Sequence, residues 1–271
     1  MKNIKYLFLF ILFFASLNYS QILPGAKEIG IANSDVALSN DVFALFNNPS
    51  GLAQLGERSL GIYYSPSPFG LKELANGYFA YSEPFDFGSL SLGGMTYGFD
   101  LYRESRLVLG LSYKYSDKYF LGLSVNYQTV SIQNYGNSNT LFFSVGALAY
   151  LSKNIRWGFS LQNLNRASYT NTEDQIPVVI RTGFSYDLQS NISINLALEK
   201  DIKYNPNLHF GIDYKIIEYL SIRTGFSNEQ SRYSGGIEIH YSYFNIGYSV
   251  FTHQDLGLTH QFGVIIDLDK K

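Results

Sequence analysis

The sequence predicts an all-β fold, a transmembrane antiparallel β-barrel of about fourteen strands. Three observations carry this expectation. The chain opens with an export leader, continues as a string of period-two segments, and has a composition suited to a surface that faces lipid.

The leader comes first. Lys2 and Lys5 precede an apolar run from Tyr6 to Leu17, and the polar residues Asn18-Tyr19-Ser20-Gln21 follow. This is the layout of a secretory signal peptide, with a run too short to span a bilayer as a helix. Residues 1–20 are therefore expected to be removed, with cleavage near Ser20. No later stretch reaches the roughly 18 apolar residues of a membrane helix, so none is predicted in the mature chain. Cysteine is absent, which excludes a disulfide framework, a thiolate metal site, a catalytic thiol and an acylated cysteine.

Composition sets the class of surface. Charged residues make up 15% of the chain, against about a quarter in an ordinary soluble domain. There are 23 Tyr and 21 Phe, but only 2 Met and 1 Trp. Lys and Arg total 20 against 22 Asp and Glu, and Lys2 and Lys5 leave with the leader. That mildly acidic balance offers nothing to a phosphate backbone, so nucleic acid is not an expected partner. Outer-membrane lipid is.

From Ser59 to Leu268 short segments alternate. Ile192, Ile194, Leu196 and Leu198 point one way, while Asn191, Ser193, Asn195 and Glu199 point the other. Ile155, Trp157, Phe159 and Leu161 stand in the same relation to Arg156, Gly158, Ser160 and Gln162. The strands are placed at 58–65, 75–83, 87–96, 105–115, 118–131, 139–151, 154–162, 177–188, 191–200, 206–216, 219–227, 231–240, 243–251 and 257–268. Most have the length that a tilted strand needs to cross a bilayer. The joints sort by parity. Glu83-Pro84-Phe85-Asp86, Ser116-Asp117, Ser152-Lys153, Gln189-Ser190, Ile217-Glu218 and Tyr241-Ser242 are tight, whereas 66–74, 97–104, 133–138 and 163–176 are longer. Tight periplasmic turns alternating with longer outer loops are what an outer-membrane barrel of a Gram-negative-type cell requires.

The polar face then lines the interior, and much of it is small: Gly110, Ser112, Gly122, Ser124, Gly158, Ser160, Gly183, Ser185, Gly211, Gly225 and Gly247. Such a lining leaves room for water or for another segment. Residues 21–57 precede the barrel (58–268). In them, Ser39-Asn40-Asp41 is placed to cap a short helix over Val42 to Phe46. Asn47 to Ala53 reads as a turn, with Pro49 forcing Asn48 out of the helical region and Gly51 supplying freedom at positive φ. On the residues alone, this stretch is either a lumen plug or a tether to the first strand.

Gly25-Ala26-Lys27-Glu28-Ile29-Gly30-Ile31-Ala32, Val36 to Asp41, Ala44 and Asn48-Pro49-Ser50-Gly51-Leu52-Ala53 together resemble the N-terminal signature of the PorV/PorQ family, within the FadL-like outer-membrane barrels. The match departs from the family pattern at Ile31-Ala32, Asn40 and Ser50. The resemblance implies a fourteen-stranded barrel with its N-terminal segment folded into the lumen as a hatch. It puts Asn48, Pro49, Gly51 and Leu52 inside the periplasmic end. It also implies that Gly93-Gly94 mark a kink opening a lateral exit; the alternative is a bend serving barrel curvature.

No catalytic, metal or cofactor set emerges. His209, His240, His253 and His260 lack metal-ligand spacing and are expected at the surface or membrane interface. Nothing marks a serine nucleophile, and no helix follows Gly93-Gly94 to form a phosphate loop. One charge cluster stands out. A three-residue turn at Ile217-Glu218-Tyr219 would set Asp213 across from Arg223 in the lumen, with Glu238 as the diagonal neighbour. It would either fix strand register or hold a substrate.

For function, the resemblance implies an accessory barrel in type IX-like secretion or the cell envelope, with secreted proteins or secretion machinery as partners. The alternatives are a FadL-like passive transporter of hydrophobic small molecules and a plugged structural protein. An enzyme is not expected. The outer loops are short for a ligand-gathering pocket and for cargo binding alike. The chain also ends Ile266-Asp267-Leu268-Asp269-Lys270-Lys271, without a terminal aromatic.

Overall fold

A computed structural model of the chain describes residues 23–169, 176–228 and 231–269. The leader and its expected cleavage site lie outside them. Among the described residues, fourteen antiparallel strands form one closed barrel. They are β1 (Ser59–Ser65), β2 (Asn76–Phe85), β3 (Gly88–Phe99), β4 (Tyr102–Tyr115), β5 (Tyr119–Ile132), β6 (Gly136–Tyr150), β7 (Ile155–Gln162), β8 (Val179–Gln189), β9 (Ile192–Asp201), β10 (Asn207–Ile217), β11 (Leu220–Ser227), β12 (Arg232–Tyr241), β13 (Phe244–His253) and β14 (Gly257–Asp267). Each pairs with its sequence neighbours, and β1 pairs with β14 from Ser59↔Asp267 to Tyr64↔Phe262, closing the ring. We call the end where β1 starts and β14 finishes the near rim, and the opposite end the far rim.

Burial along the strands is the reverse of a soluble core. On β5 the residues Ser124, Asn126 and Gln128 are buried, while Tyr119, Leu121, Leu123 and Tyr127 are exposed. Leu90, Leu92, Leu107, Leu109 and Leu111 continue that exposed face across β3 and β4. An outward face of leucine around a polar interior is stable only where the surroundings are hydrocarbon. An apolar depression walled by Leu90, Leu92, Leu109, Leu111 and Leu123 lies on this outside wall and belongs to the lipid-facing relief. Tyrosines bound the band. On β5, Tyr119 and Tyr127 flank Leu121, Leu123 and Val125, a span of about 26 Å along the strand at ~3.3 Å per residue. A tilt of about 40° reduces it to ~20 Å of membrane normal.

Above Tyr127 the outward residues turn polar: Arg103 and Ser105 on β4, Thr129 and Ser131 on β5, Asn137 and Asn139 on β6. Here the structure corrects the loops. The joints at 97–104 and 133–138 are mostly strand, with only 100–101 and 133–135 left between strands. Backbone pairing runs on past the lipid band (Tyr97↔Glu104, Ile132↔Gly136). The apolar-polar alternation ends at the band because both faces meet water above it, and the sequence reading ended the strands there. The parity of joint lengths therefore holds at 66–75, 163–178 and 202–206, and fails at these two hairpins and at 254–256.

The N-terminal segment lies in the lumen. It forms α1 (Ala26–Gly30), a 3₁₀ turn at Asp35–Ala37, α2 (Ala44–Asn47) and a second 3₁₀ turn at Pro49–Gln54. α1 packs on β11–β14, the first 3₁₀ turn on β7–β9, α2 on β3 and β4, and the second 3₁₀ turn on β3–β6. The expected helix over 42–46 is shorter and starts at Ala44; Asp41 Oδ1 accepts from Phe43 N at 2.9 Å just ahead of it. Small wall residues set the fit. A Cβ at Gly122 would stand 2.2 Å from Ser50 N, and one at Gly158 2.1 Å from the Val36 carbonyl oxygen.

The lipid band yields a direct test. Leu109→Arg puts a cation at mid-band and should destabilise the barrel by about 2–4 kcal/mol, whereas Ser105→Arg above the band should cost about 0–1 kcal/mol. Denaturant unfolding from phospholipid vesicles measures both, and equal costs would reject the assigned band.

Candidate functional site: the plugged lumen

The plug is fastened to the wall in two chemically different ways. On one side, Val42, Phe43, Leu45 and Leu52 are buried against Tyr63, Tyr78, Ala80, Met95 and Val108 of β1–β4. Each such side chain contributes roughly 1.5–3 kcal/mol when fully buried. Edge-to-face ring pairs, Phe43 with Tyr63 and Phe46 with Tyr78, orient α2 there. Elsewhere much of the wall facing the plug is polar, with Ser124, Ser160, Ser185, Asn195 and Ser249 all buried, apart from a smaller apolar contact of Phe120 and Leu148 on Ala53.

Asn48, Pro49, Gly51 and Leu52 lie in the lumen toward the near rim, against β4–β6 and α2. Asn48 is extended (φ −147°, ψ 96°), as its position before Pro49 requires. Its amide nitrogen donates to the Val36 carbonyl at 2.8 Å and the Ala147 carbonyl at 3.3 Å. Its Oδ1 accepts from Ser50 Oγ at 2.7 Å and Ser50 N at 3.3 Å. One buried side chain thus ties two arms of the plug to β6. Gly51 is a correction: its φ is not positive. Glycine is needed because a Cβ would meet the Ser39 carbonyl oxygen at 2.1 Å.

Gly93 and Gly94 are a second correction. β3 pairs without interruption with β2 (Gly93↔Ala80, Gly94↔Phe79) and with β4 (Gly93↔Val108, Gly94↔Leu107), so neither a bulge nor a lateral opening forms there. Both glycines serve close approach. A Cβ on Gly93 would meet Leu45 Cδ2 at 2.6 Å inside the barrel, and one on Gly94 would meet the Phe79 ring at 2.4 Å outside. The irregular ladder positions fall instead between Asp187 and Gln189 and between Lys215 and Ile217, beside near-rim turns.

Asp213 lies across from Arg223, and Glu238 lies across from Ser221, one diagonal step away. The turn is Glu218-Tyr219, and the irregularity just before it leaves this register in place. Arg223 Nε donates to Asp213 at 3.0 Å and Nη1 to Glu238 at 2.6 Å. The backbone of Gly30 in α1 comes so close that a Cβ there would be 3.1 Å from Arg223 Cβ. Arg181–Glu199 (2.6 Å) and Arg156–Asp187 are further lumen pairs.

His209 is not at the surface. It is buried on the lumen wall, and its Nδ1 meets the Ala32 carbonyl of the plug at 2.8 Å. His240 also faces inward. Ser221 Oγ is 2.8 Å from His240 Nε2, His240 Nδ1 is 2.8 Å from Asn245 Oδ1, Asn245 donates to Asp267 at 2.9 Å, and Ser59 donates to Asp267 at 2.7 Å. This belt crosses β11, β12, β13, β14 and β1 and braces the closing seam. With Ser221 only 3% exposed, the belt reads as a brace and not as a nucleophile site. His260 is exposed and bonded to Tyr248 Oη at 2.7 Å, and His253 is the last residue of β13.

The sequence reading missed the charges within the plug. Lys27 Nζ lies 2.5 Å from Asp41, 3.3 Å from Glu28 and 2.8 Å from Asn40 Oδ1. Their signal was four ionisable residues, Asp35 among them, in an otherwise small and apolar stretch. Burial pushes the Glu28 carboxyl well up, and the Asp41 charge pushes it further against the pull of Lys27. Burial also opposes the Lys27 ammonium, but Asp41 and Glu28 outweigh it and hold its pKa up. Burial opposes the Asp41 carboxylate in turn, yet Lys27 and the Glu28 hydrogen bond keep its pKa below the ordinary range.

Two measurements follow. Asn48→Leu leaves the Val36 carbonyl without its donor and should cost about 1–3 kcal/mol in denaturant unfolding, with earlier proteolysis of the plug. The raised Glu28 group stabilises the plugged state fully below its ordinary value of 4.5, and that contribution is lost as pH climbs from there through the folded value. Stability should therefore fall on going from pH ~5 to ~8 more in the wild type than in Glu28→Gln. An identical fall in both would assign the pH dependence to other groups.

No protein-family model matches the chain, and no curated protein matches it. Solved structures do. A Pseudomonas aeruginosa FadL homologue is 13% identical, with TM-score 0.64, over 91% of this chain and 99% of that one. The CymD monoaromatic hydrocarbon channel is 11% identical, with TM-score 0.65, over 92% and 97%. The Ralstonia pickettii toluene transporter TbuX is 13% identical, with TM-score 0.63, over 89% and 96%. These matches lend no support to the secretion role that the sequence resemblance implied. What this chain shares with them is the fold, a closed fourteen-stranded antiparallel barrel.

Proposed function

We propose that this protein is a passive channel for hydrophobic small molecules in the outer membrane of a Gram-negative-type cell, with the N-terminal plug as its inner barrier. The observation that carries this reading is the lopsided fastening of the plug. Apolar contacts hold α2 and its flanks to β1–β4, with a smaller apolar contact of Ala53 on Phe120 and Leu148, while much of the remaining plug surface meets polar wall or lies against glycine. A purely structural stopper has no need of that division. Support comes from the shared fold with proteins described as a toluene transporter and a monoaromatic hydrocarbon channel.

The far rim removes one objection drawn from the short loops. Inward strand residues supply the aromatic surface that the loops lack: Tyr78, Met95 and Tyr97 continue upward from the α2 contact, and Tyr97 meets Tyr102 at 6.5 Å between ring centroids. With the far rim facing outward, a hydrophobic ligand would meet this surface before the plug. Such molecules cross a lipopolysaccharide leaflet poorly without a protein route, so intact cells are the right assay. Cells making the barrel should take up radiolabelled toluene or oleate faster than cells without it, while liposomes containing it should not swell with arabinose. Unchanged uptake by a correctly folded barrel would end the channel reading. Loss of secreted proteins on gene deletion would then restore the secretion reading.

A further inference from the structure

The joint between β1 and β2 does not rise away from the barrel. It turns inward at the far rim through Pro68-Phe69-Gly70, and the Phe69 backbone N–H donates to Thr259 Oγ1 at 3.0 Å. Thr259 is a lumen-facing residue of β14 with no exposed surface. Ser65 Oγ adds a bond to the His260 carbonyl at 3.2 Å. The Phe69 ring then sits edge-on to two rings of β13: Phe251 at 5.8 Å and 82°, and His253 at 5.2 Å and 75°. Phe251 is buried, and the Arg232 guanidinium lies over its ring at 4.0 Å.

Phe69 takes up this place in the left-handed region, at φ 56° and ψ 24°. A non-glycine aromatic residue adopts that conformation only when its surroundings over-determine it. Pro68 before it and Gly70 after it (φ 79°) make the turn attainable. One N–H···O bond, two ring contacts and the burial of Pro68 hold the turn to β13 and β14. Opening the turn would release the strain, which offsets part of what the contacts contribute.

We propose that the slot formed by Phe251, His253 and Thr259 is a binding site for a small aromatic ring, and that Phe69 fills it from within as the latch of a lid over the far rim. This rests on the channel reading above and adds to it a ligand class and an outer gate. An incoming arene of phenyl size reproduces the edge-to-face contacts that Phe69 makes, so lid opening is an exchange of one ring for another. A saturated hydrocarbon of the same size offers no such quadrupole contact and displaces the latch less well.

The direct test uses Phe69→Trp combined with Trp157→Phe, which leaves a single reporter because the chain has 1 Trp. Toluene should shift the emission of that reporter to longer wavelength, saturably and more than cyclohexane does, while wild-type protein carrying only Trp157 shows no saturable change. A reporter that ignores toluene overturns the proposal, and an equal response to cyclohexane overturns its aromatic selectivity. In cells, Phe69→Ala should raise initial toluene uptake by about two- to tenfold, the range that one aromatic pair is worth. Phe69→Leu, which keeps the bulk without the ring, should fall between. Wild-type uptake with a silent reporter and no gain in Phe69→Ala removes the lid and leaves the channel. A responding reporter without uptake in any variant keeps the binding slot and removes the channel.

Discussion

Hydrocarbon accepts no hydrogen bonds, and that constraint governs the molecule. A sheet in lipid must satisfy every backbone group from within, so its edges meet and the ring closes between β1 and β14. Once closed, each strand has one face in lipid and one in the lumen, and the leucines of β3–β5 go outward while serines, asparagines and glycines go inward. The polar interior then needs partners of its own. Here the chain supplies them from its first described residues, and the Ser221–His240–Asn245–Asp267–Ser59 belt adds side-chain bonds where the seam closes.

The plug answers a packing problem unlike that of a soluble core. A core is filled by interdigitating apolar side chains, whereas this lumen is filled partly so, around Phe43 and Leu45, and partly by backbone lying against glycine. That contact leaves little room for error. At Gly122 or Gly158 a single methyl group would collide with main chain. The buried charges follow the same economy of space, since Lys27, Glu28 and Asp41 neutralise one another within the plug instead of reaching across to the wall. Arg223 is balanced on the wall by Asp213 and Glu238. The ion pairs of plug and wall thus form largely within each body.

The sequence made the barrel legible because period two is the direct imprint of a wall with two unlike faces. Asn195 and Glu199 alternating with Leu196 and Leu198 could be read without coordinates, and so could the placing of Arg223 beside Asp213. What could not be read was contact at a distance in the chain. His209 looks like any lumen-facing polar residue until Ala32 is brought to it. Gly93 and Gly94 looked like a weak point in β3 because a glycine pair signals either a kink or a close approach, and only the positions of Leu45 and Phe79 decide between them. Strand ends above the lipid band were invisible for another reason, since a strand with water on one side and polar lumen on the other has no hydrophobic period. Phe69 carried a faint signal, an aromatic residue lodged between proline and glycine in a long joint.

The interior is divided by sector as well as by depth. Phe251, Tyr63, Tyr78 and Met95 descend from the far rim on β13 and β1–β3 toward Phe43 and Leu45 of the plug, with Arg232 over Phe251 and Arg106 of β4 beside Met95, while the lumen ion pairs of Arg156, Arg181 and Arg223 lie on β7–β12. The lid and α2 both lean on the apolar sector, one at each end of it. Tyr63 links that sector across the seam through a 2.5 Å hydrogen bond to Gln261, two residues from the Thr259 that holds the lid. On the proposed channel reading, a hydrophobic molecule entering at the far rim would meet Phe69 first and α2 after it. It would leave the charged wall that anchors α1 undisturbed. If both proposals hold, the two barriers lie in series, and the ion-paired wall of β7–β12 is the frame against which they would move.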